Sequence, residues 1–104
     1  MTDPAVGTVV LVVELTARPE GAQELRERLL ELTRLTREED GCLRYDLHVD
    51  PDDPCRLAFV EEWASPEAHA AHDLTPWVDD FRSNRSRLLV EDGVRRLDLR
   101  RLEP

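Results

Sequence analysis

A short apolar segment near the N-terminus constrains the fold of this chain more than any other feature of its sequence. Residues 8–16 read TVVLVVELT, and the five residues from Val9 to Val13 are all apolar. The side chains of a strand point alternately to its two faces, so a strand without a polar row is apolar on both faces. We therefore expect something to cover each face of the sheet that contains this strand.

Periodic patterns predict the remaining helices and strands. The predicted segments are a helix over 19–40, strands over 42–49 and 56–64, a short helix over 66–72, a helix from 76 to about 90, and a strand over 93–101. Leu25, Leu29 and Leu32 form the apolar stripe of the first helix. Gly41 is predicted to end that helix in a left-handed conformation. On the last strand, we predict that Leu97 faces inward together with Leu99.

The order of these segments predicts an α+β fold. It is β-α-β-β-α-β when the two helices after residue 65 are counted as one connection. With right-handed crossovers this order gives a ferredoxin-like, split β-α-β domain, in which a four-stranded antiparallel sheet carries helices on one face. A length of 104 residues fits a single domain over residues 1–104.

The helices of such a domain cover only one face of the sheet, although the first strand is apolar on both. We predict that a second copy of the sheet covers the other face, which makes the chain a homodimer. Alternation along the strands places Arg44, Asp46, His48 and Glu62 on that second face. We expect these side chains to form ion pairs between the subunits, because an unpaired buried charge is very costly.

Composition excludes several classes of function. The formal net charge of −9 argues against nucleic acid as a partner, since phosphate binding needs a basic surface. The chain has no lysine, which excludes Schiff-base catalysis and an anchor for pyridoxal phosphate. It also has no glycine-rich phosphate-binding motif, so no nucleotide cofactor is indicated.

The sequence also bears on location. No apolar run approaches the roughly 20 residues that span a bilayer, so we expect no membrane segment. The N-terminal MTDPAVG lacks a basic segment followed by an apolar one, so we expect no signal peptide and a cytoplasmic location. In a reducing cytoplasm Cys42 and Cys55 should stay thiols, and two cysteines alone provide no zinc framework.

The densest group of chemically active side chains lies in residues 62–81, which read EWASPEAHAAHDLTPWVDDF. Trp63 ends a predicted strand, the short helix that follows carries His69 and His72, and Trp77 opens the next helix. The pattern predicts that a large flat ring and two titratable imidazoles converge on one pocket.

Together with EEDGCLRYDLHVDPDDP over residues 38–54, this stretch resembles the antibiotic biosynthesis monooxygenase family, the small cofactor-free quinol and polyketide oxygenases. The resemblance covers about residues 8–100, and the matching positions are Gly41, Tyr45, His48, Glu62, Trp63, Ser65, His72, Thr75, Pro76 and Phe81. It implies an α+β barrel homodimer paired sheet to sheet. It also implies an enzyme that oxidises a phenolic or hydroquinone-type aromatic to a quinone with O₂ and needs no cofactor.

The candidate catalytic residues are His72 and Trp63. An imidazole titrates near pH 6.5, so His72 can take a proton from a phenol or hydroquinone at neutral pH; the alternative is a histidine that only bridges helices. The resemblance implies that Trp63 is a pocket wall on which a planar substrate stacks, and the alternative is core packing. His69 lies one turn before His72, but two histidines without a third ligand make no tight site, so no metal is expected.

The candidate substrate-binding residues are Tyr45, Phe59, Glu61, His69, Trp77 and Phe81. The Tyr45 hydroxyl would bond either a substrate oxygen or a backbone carbonyl. Trp77 departs from the family pattern, because many members carry a second histidine at this position. Glu61 is predicted to form a salt bridge with Arg82 or Arg85, and the alternative is that it orients an imidazole.

Three other functions remain open. Haem-degrading relatives use an asparagine on the first strand, which this chain lacks. The second is an isomerase of small phosphorylated sugars or ketones, although the acidic charge and the apolar pocket argue against phosphate. The third is a non-catalytic dimeric module that binds an aromatic ligand or a partner protein, since a fold alone does not determine function.

Overall fold

The computed structural model describes residues 7–104 and has one sheet, with its helices packed against one face. Its elements are β1 (Val9–Ala17), α1 (Ala22–Arg37), β2 (Cys42–Asp50), β3 (Asp53–Trp63), α2 (Pro66–Asp73), α3 (Pro76–Asn84) and β4 (Leu89–Leu99). The strand order is β2-β3-β1-β4, and all neighbours are antiparallel. The predicted ferredoxin-like α+β fold is confirmed. The segment 1–6, which falls within the region where we expect no signal peptide, lies outside the described residues.

The first strand is central, as its two apolar faces require. On the helix side of β1, Leu11 and Leu15 are only 1% and 2% exposed. On the other side, Val12 lies opposite Val60 of β3 and Leu97 of β4. Directly opposed residues of antiparallel strands share a face, so these three side chains form an apolar patch that no helix within residues 7–104 covers.

The helix side of the sheet holds the core. The stripe of α1 is buried as predicted, with Leu25 and Leu29 fully inaccessible and Leu32 6% exposed. Each such side chain contributes about 1.5–3 kcal/mol when it is removed from water. Among residues 7–104, no helix is long and apolar enough to cross a membrane.

The turn after α1 is sharper than the sequence pattern predicts. The helix ends at Arg37, whereas the pattern extends to residue 40. Gly41 has the predicted left-handed backbone, with a φ of +81°, and a Cβ at this position would lie 2.5 Å from the Cβ of Ala68. The turn therefore requires glycine, and it brings residues 38–40 close to α2.

The connection between α3 and β4 differs from the prediction. The helix ends at Asn84, not near residue 90, and β4 begins at Leu89, not at Gly93. The reason is tertiary: Leu88 and Leu89 are buried in the core, and Arg18 donates its backbone N–H to the Leu88 carbonyl and its Nε–H to the Leu89 carbonyl. These contacts replace the hydrogen bonds that a longer helix would have made.

Leu97 and Leu99 were predicted to face inward, and this prediction is wrong. They lie opposite Val12 and Val10 on the uncovered face, where they are 52% and 45% exposed. The register changes near Gly93, where β4 has extra residues relative to β1 and a Cβ would approach the Thr16 carbonyl oxygen to 2.8 Å. Because a shift of one residue exchanges the two faces of a strand, the pattern alone could not assign them.

The predicted charged residues do lie beside this uncovered patch. Arg44 and Asp46 pair within the chain at 2.7 Å, and Glu62 lies 3.7 Å from Arg101. The ion pairs expected between subunits stay a prediction.

Candidate active site

A cavity of about 200 Å³ lies between the helix side of the sheet and helices α2 and α3. Its wall is mostly apolar, and the sheet contributes Val13, Leu15 and Phe59 to it. Helix α3 closes the opposite side with Val78 and Phe81. The space is small compared with the roughly 300–1,000 Å³ of sites for drug-sized ligands, so it suits a ligand of one or two rings.

His72 is the best-defined polar group on the cavity wall. Helix α2 positions it: the Ser65 side chain accepts the Ala68 N–H at 3.0 Å, and Pro66 occupies the first helical position. His72 sits in the last turn of this helix, 5% exposed. A capped helix of two turns therefore fixes the direction in which the imidazole points.

The carboxylate of Glu39 fixes the His72 imidazole through a hydrogen bond. Its oxygens lie 2.9 and 3.2 Å from His72 Nδ1. A carboxylate can only accept, so Nδ1 carries a proton, and in the neutral ring Nε2 keeps a lone pair. Within residues 7–104 no protein group hydrogen-bonds Nε2. The site therefore has an oriented base with a free acceptor nitrogen.

Sequence reasoning did not identify Glu39 as a site residue. The helix pattern extends through this position, and the early end of α1 at Arg37 is what turns its side chain inward. Its carboxylate also accepts the indole N–H of Trp77 at 2.9 Å. Gly41 could have indicated the role of Glu39, because a left-handed glycine turn reverses the chain two residues after it.

Trp63 lies behind the cavity, not on its wall. Its ring centroid is 4.6 Å from that of His72 and 5.9 Å from that of His69, but its side chain is fully buried and does not line the space. Its indole N–H donates to Glu61 at 3.0 Å. The indole thus packs behind the histidines, where it limits their motion.

Glu61 lines the cavity, and its predicted salt bridge is wrong. It accepts from Trp63, while Arg82 pairs with Asp73 at 2.9 Å and Arg85 forms no ion pair with it. Burial raises the pKa of Glu61 above its ordinary value. The bond to Trp63 forms within the strand, two residues apart, which the expectation of a helix partner overlooked.

The remaining predicted residues divide between two places. Tyr45 and Phe59 line the cavity as a stacked pair, with ring centroids 4.4 Å apart. Burial raises the pKa of the Tyr45 phenol, so its hydroxyl can donate a hydrogen bond but cannot act as a base. His69 is also on the wall, and burial lowers its pKa, which favours the neutral ring at neutral pH. Trp77 instead borders a separate depression between α1 and α3, with Phe81 between the two spaces.

No metal centre is evident in residues 7–104, where no three histidine, cysteine, aspartate or glutamate side chains come together to hold an ion. Cys42 and Cys55 are free thiols, and burial raises the pKa of Cys42 to about 11. Among the residues that line it, the cavity offers the His72 imidazole, a mostly apolar wall and the buried Tyr45 hydroxyl.

Comparison with known proteins supports the sequence resemblance. The sequence model of the antibiotic biosynthesis monooxygenase family matches residues 8–84. Among proteins with curated functions, none matches this chain.

Solved structures show the same fold. The PA3566 protein of Pseudomonas aeruginosa is 31% identical, with a TM-score of 0.88 over 95% of this chain and 98% of that one. The Rv0793 protein of Mycobacterium tuberculosis is 29% identical, with a TM-score of 0.85 over 93% and 97%. The SO0527 protein of Shewanella oneidensis, at 24% identity, shares the fold with a TM-score of 0.86 over 92% of each chain.

Proposed function

This chain belongs to the antibiotic biosynthesis monooxygenase family, and from that premise we propose that it is a cofactor-independent monooxygenase of a phenolic or hydroquinone-type aromatic. The observation that carries the proposal is the pairing of His72 with Glu39 at the wall of a small apolar cavity. This pairing supplies a base of fixed tautomer, and the cavity supplies a mostly apolar space for a flat ring.

The first step is removal of a proton from the substrate. The phenol oxygen approaches Nε2 of His72 and gives up its proton, while the carboxylate of Glu39 stabilises the imidazolium that forms. General-base assistance of this kind contributes roughly 10²–10⁴-fold in rate. The product of the step is a phenolate held among Phe59, Tyr45 and Phe81.

The phenolate then reduces O₂. One electron passes from the phenolate to O₂, and the radical pair combines to form a C–O bond at a ring carbon that carries hydrogen. Loss of that hydrogen and cleavage of the O–O bond release water and leave a second carbonyl. The balance is phenol plus O₂ giving quinone plus water, with the four electrons taken from the ring.

The protein's part in this chemistry is positioning and exclusion of water. An apolar wall disfavours escape of the radical pair, and it strengthens the interaction between the phenolate and the imidazolium. The buried Tyr45 hydroxyl is a neutral donor that can orient a substrate oxygen without competing for its proton.

The proposal extends to assembly and location. A second copy of the chain covers the uncovered sheet patch, since Val12, Val60, Leu97 and Leu99 leave an apolar surface beside charged residues. We place the protein in the cytoplasm, where its thiols would remain reduced.

Oxygen uptake tests the proposed activity. The purified protein, with no added flavin, nicotinamide or metal, should consume O₂ with a panel of small phenols, hydroquinones and anthrones. The variant His72→Ala should lower kcat by about 10²–10⁴-fold without loss of fold. The control is His48→Gln on the opposite sheet face, which lies away from the cavity and should keep the wild-type rate.

Two results would contradict the proposal. Wild-type turnover in His72→Ala would remove the base from the mechanism. Tight binding of aromatic ligands with no O₂ consumption across the panel would favour the alternative function, a non-catalytic module that binds an aromatic ligand.

A further inference from the structure

One cation on the cavity wall has no acidic partner. Arg85 is the C-terminal cap residue of α3; it lines the cavity and is half-buried. Its guanidinium carbon lies 5.9 Å from the centroid of the Phe81 ring, a contact that holds the side chain along the cavity. Within the described residues, no carboxylate pairs with it or contributes to its electrostatic environment.

The other arginines of the wall are neutralised. Arg82, one turn before Arg85, is bound to Asp73 at 2.9 Å. Arg96 of β4 is bound to Asp98 at 2.7 Å. Among the described residues, Arg85 is thus the arginine of this cavity that pairs with no carboxylate.

An unpaired, half-buried guanidinium costs free energy, and a bound anion would recover it. Burial, and to a smaller extent Arg82, lower the pKa of Arg85. Neither carboxylate of the wall pairs with this guanidinium, because Asp73 pairs with Arg82 and Glu61 accepts a hydrogen bond from Trp63. In a chain with a net charge of −9, an arginine at the cavity wall that pairs with no carboxylate would favour an anionic ligand.

We propose that the substrate is a small hydroxyaryl carboxylate, with its phenol at His72 and its carboxylate bound by Arg85. The inference rests on the proposed function for the reacting end of the substrate and on Arg85 for the other end. His72 precedes helix α3 and Arg85 caps its C-terminus, so the two residues come from opposite ends of this helix. Both residues line the cavity, and its volume of about 200 Å³ limits the ligand to one or two rings.

Binding without turnover tests the carboxylate site. The probes are 6-hydroxy-2-naphthoate and its carboxamide, which differ in charge but hardly in shape and carry the hydroxyl at the far end. Titration calorimetry under anaerobic conditions should give a wild-type affinity for the carboxylate about 10- to 100-fold higher than for the carboxamide, as expected for a charge-assisted hydrogen bond.

Three variants locate the effect. Arg85→Gln should lose the preference for the carboxylate while keeping its affinity for the carboxamide. Arg85→Lys, which keeps the charge but not the planar fork, should retain an intermediate preference. Arg26→Gln removes the same charge from an exposed position on α1, distant from the cavity, and should bind like wild type.

The inference is overturned if the naphthoate does not bind, if the two probes bind equally to the wild type, or if the preference survives in Arg85→Gln. Oxygen uptake is measured separately. A carboxylate preference that depends on Arg85, found in a protein that never consumes O₂, would refute the oxygenase proposal and leave the assignment of Arg85 in place.

Discussion

At the level of single residues, the candidate site is organised by one carboxylate that holds two rings. Glu39 accepts from His72 on α2 and from Trp77 on α3, so it joins both helices to the turn after α1. Its side chain is only 11% exposed. The bond to Trp77 uses one lone pair of the carboxylate and leaves others to fix the imidazole. Trp77, where many family members carry histidine, thus contributes to the site by positioning Glu39.

The first prediction concerns Glu39→Gln. The amide can rotate to donate to Nδ1, which would move the ring proton to Nε2 and remove the acceptor that faces the substrate. We expect kcat to fall by about 10- to 100-fold with the fold intact. The ¹⁵N chemical shifts of the His72 ring should report the change of tautomer, which a merely structural role would not produce.

The neighbouring exposed residue provides the control for this variant. Glu38→Gln removes the same charge one residue earlier and should leave both the rate and the tautomer unchanged. An unchanged His72 spectrum in Glu39→Gln would show that the carboxylate does not determine the tautomer.

The second prediction concerns the pH dependence of stability through Glu61. Because its folded pKa is raised by burial, the native state binds this proton more tightly than the unfolded state. The contribution of protonated Glu61 to stability is therefore fully present below the pKa of the unfolded state, near 4.5. It is lost as pH rises through the raised pKa of the folded state. Glu61→Gln, which keeps an acceptor for Trp63, should raise the Tm relative to wild type at pH 7, and the difference should vanish near pH 4.

Thermal melts at the two pH values measure this effect. Glu62→Gln, the adjacent residue on the opposite sheet face, is the control and should show no such gain. A lower Tm for Glu61→Gln at pH 7 would mean that an ionised Glu61 stabilises the fold, against the sign argued here.

At the level of elements, the sequence predicted the helices and strands of this fold. It missed the ends of α1 and α3 and the start of β4, which tertiary contacts determine. The sequence shows the first strand as a continuous apolar run, because apolar side chains occupy both of its faces. It shows the buried face of α1 as leucines at helical spacing. The end of α3 left no such signature, since Leu88 and Leu89 would suit either a helix or a strand. Glu39 was missed for a related reason: its role depends on where α1 stops, and boundaries are the least predictable feature.

The third prediction concerns the turn at Gly41. Gly41→Ala forces a Cβ into the left-handed region and toward the Ala68 methyl group, 2.5 Å away. We expect a loss of about 1–3 kcal/mol in the free energy of unfolding, measured by urea denaturation. Activity should fall with it, because the same turn carries Glu39 to His72.

A double-mutant cycle separates the two causes of that loss. Ala68→Gly removes the methyl that the new Cβ would meet, so Gly41→Ala should cost less in its presence. The remaining cost reflects the backbone angle alone. Strictly additive effects of the two substitutions would mean that the contact with Ala68 plays no part.

At the level of the whole molecule, the sheet separates two tasks. The helix side contains the core, the cavity and every polar group assigned to the chemistry. The other side carries the apolar patch, which the sequence predicted from the two apolar faces of β1. It could not predict that β4 would widen the patch, because the positions of Leu97 and Leu99 depend on the register after Gly93.

This separation leads to the fourth prediction. Leu97→Asp places a charge in the middle of the patch, opposite Val12, where pairing of two sheets would bury it. We expect the wild type to sediment as a dimer and Leu97→Asp as a monomer at the same concentration. Because the cavity lies on the other face, the monomer should still bind the naphthoate probe, with an affinity within a few-fold of wild type.

The matched control is Leu74→Asp. Leu74 is 84% exposed at the end of α2, on the helix side, so the same substitution there should leave the dimer intact. A wild-type monomer, or a Leu97→Asp variant that stays dimeric, would contradict pairing through this face. If Leu97→Asp were monomeric but had lost the probe as well, the two faces would be coupled, and the second subunit would be needed to keep the cavity in shape.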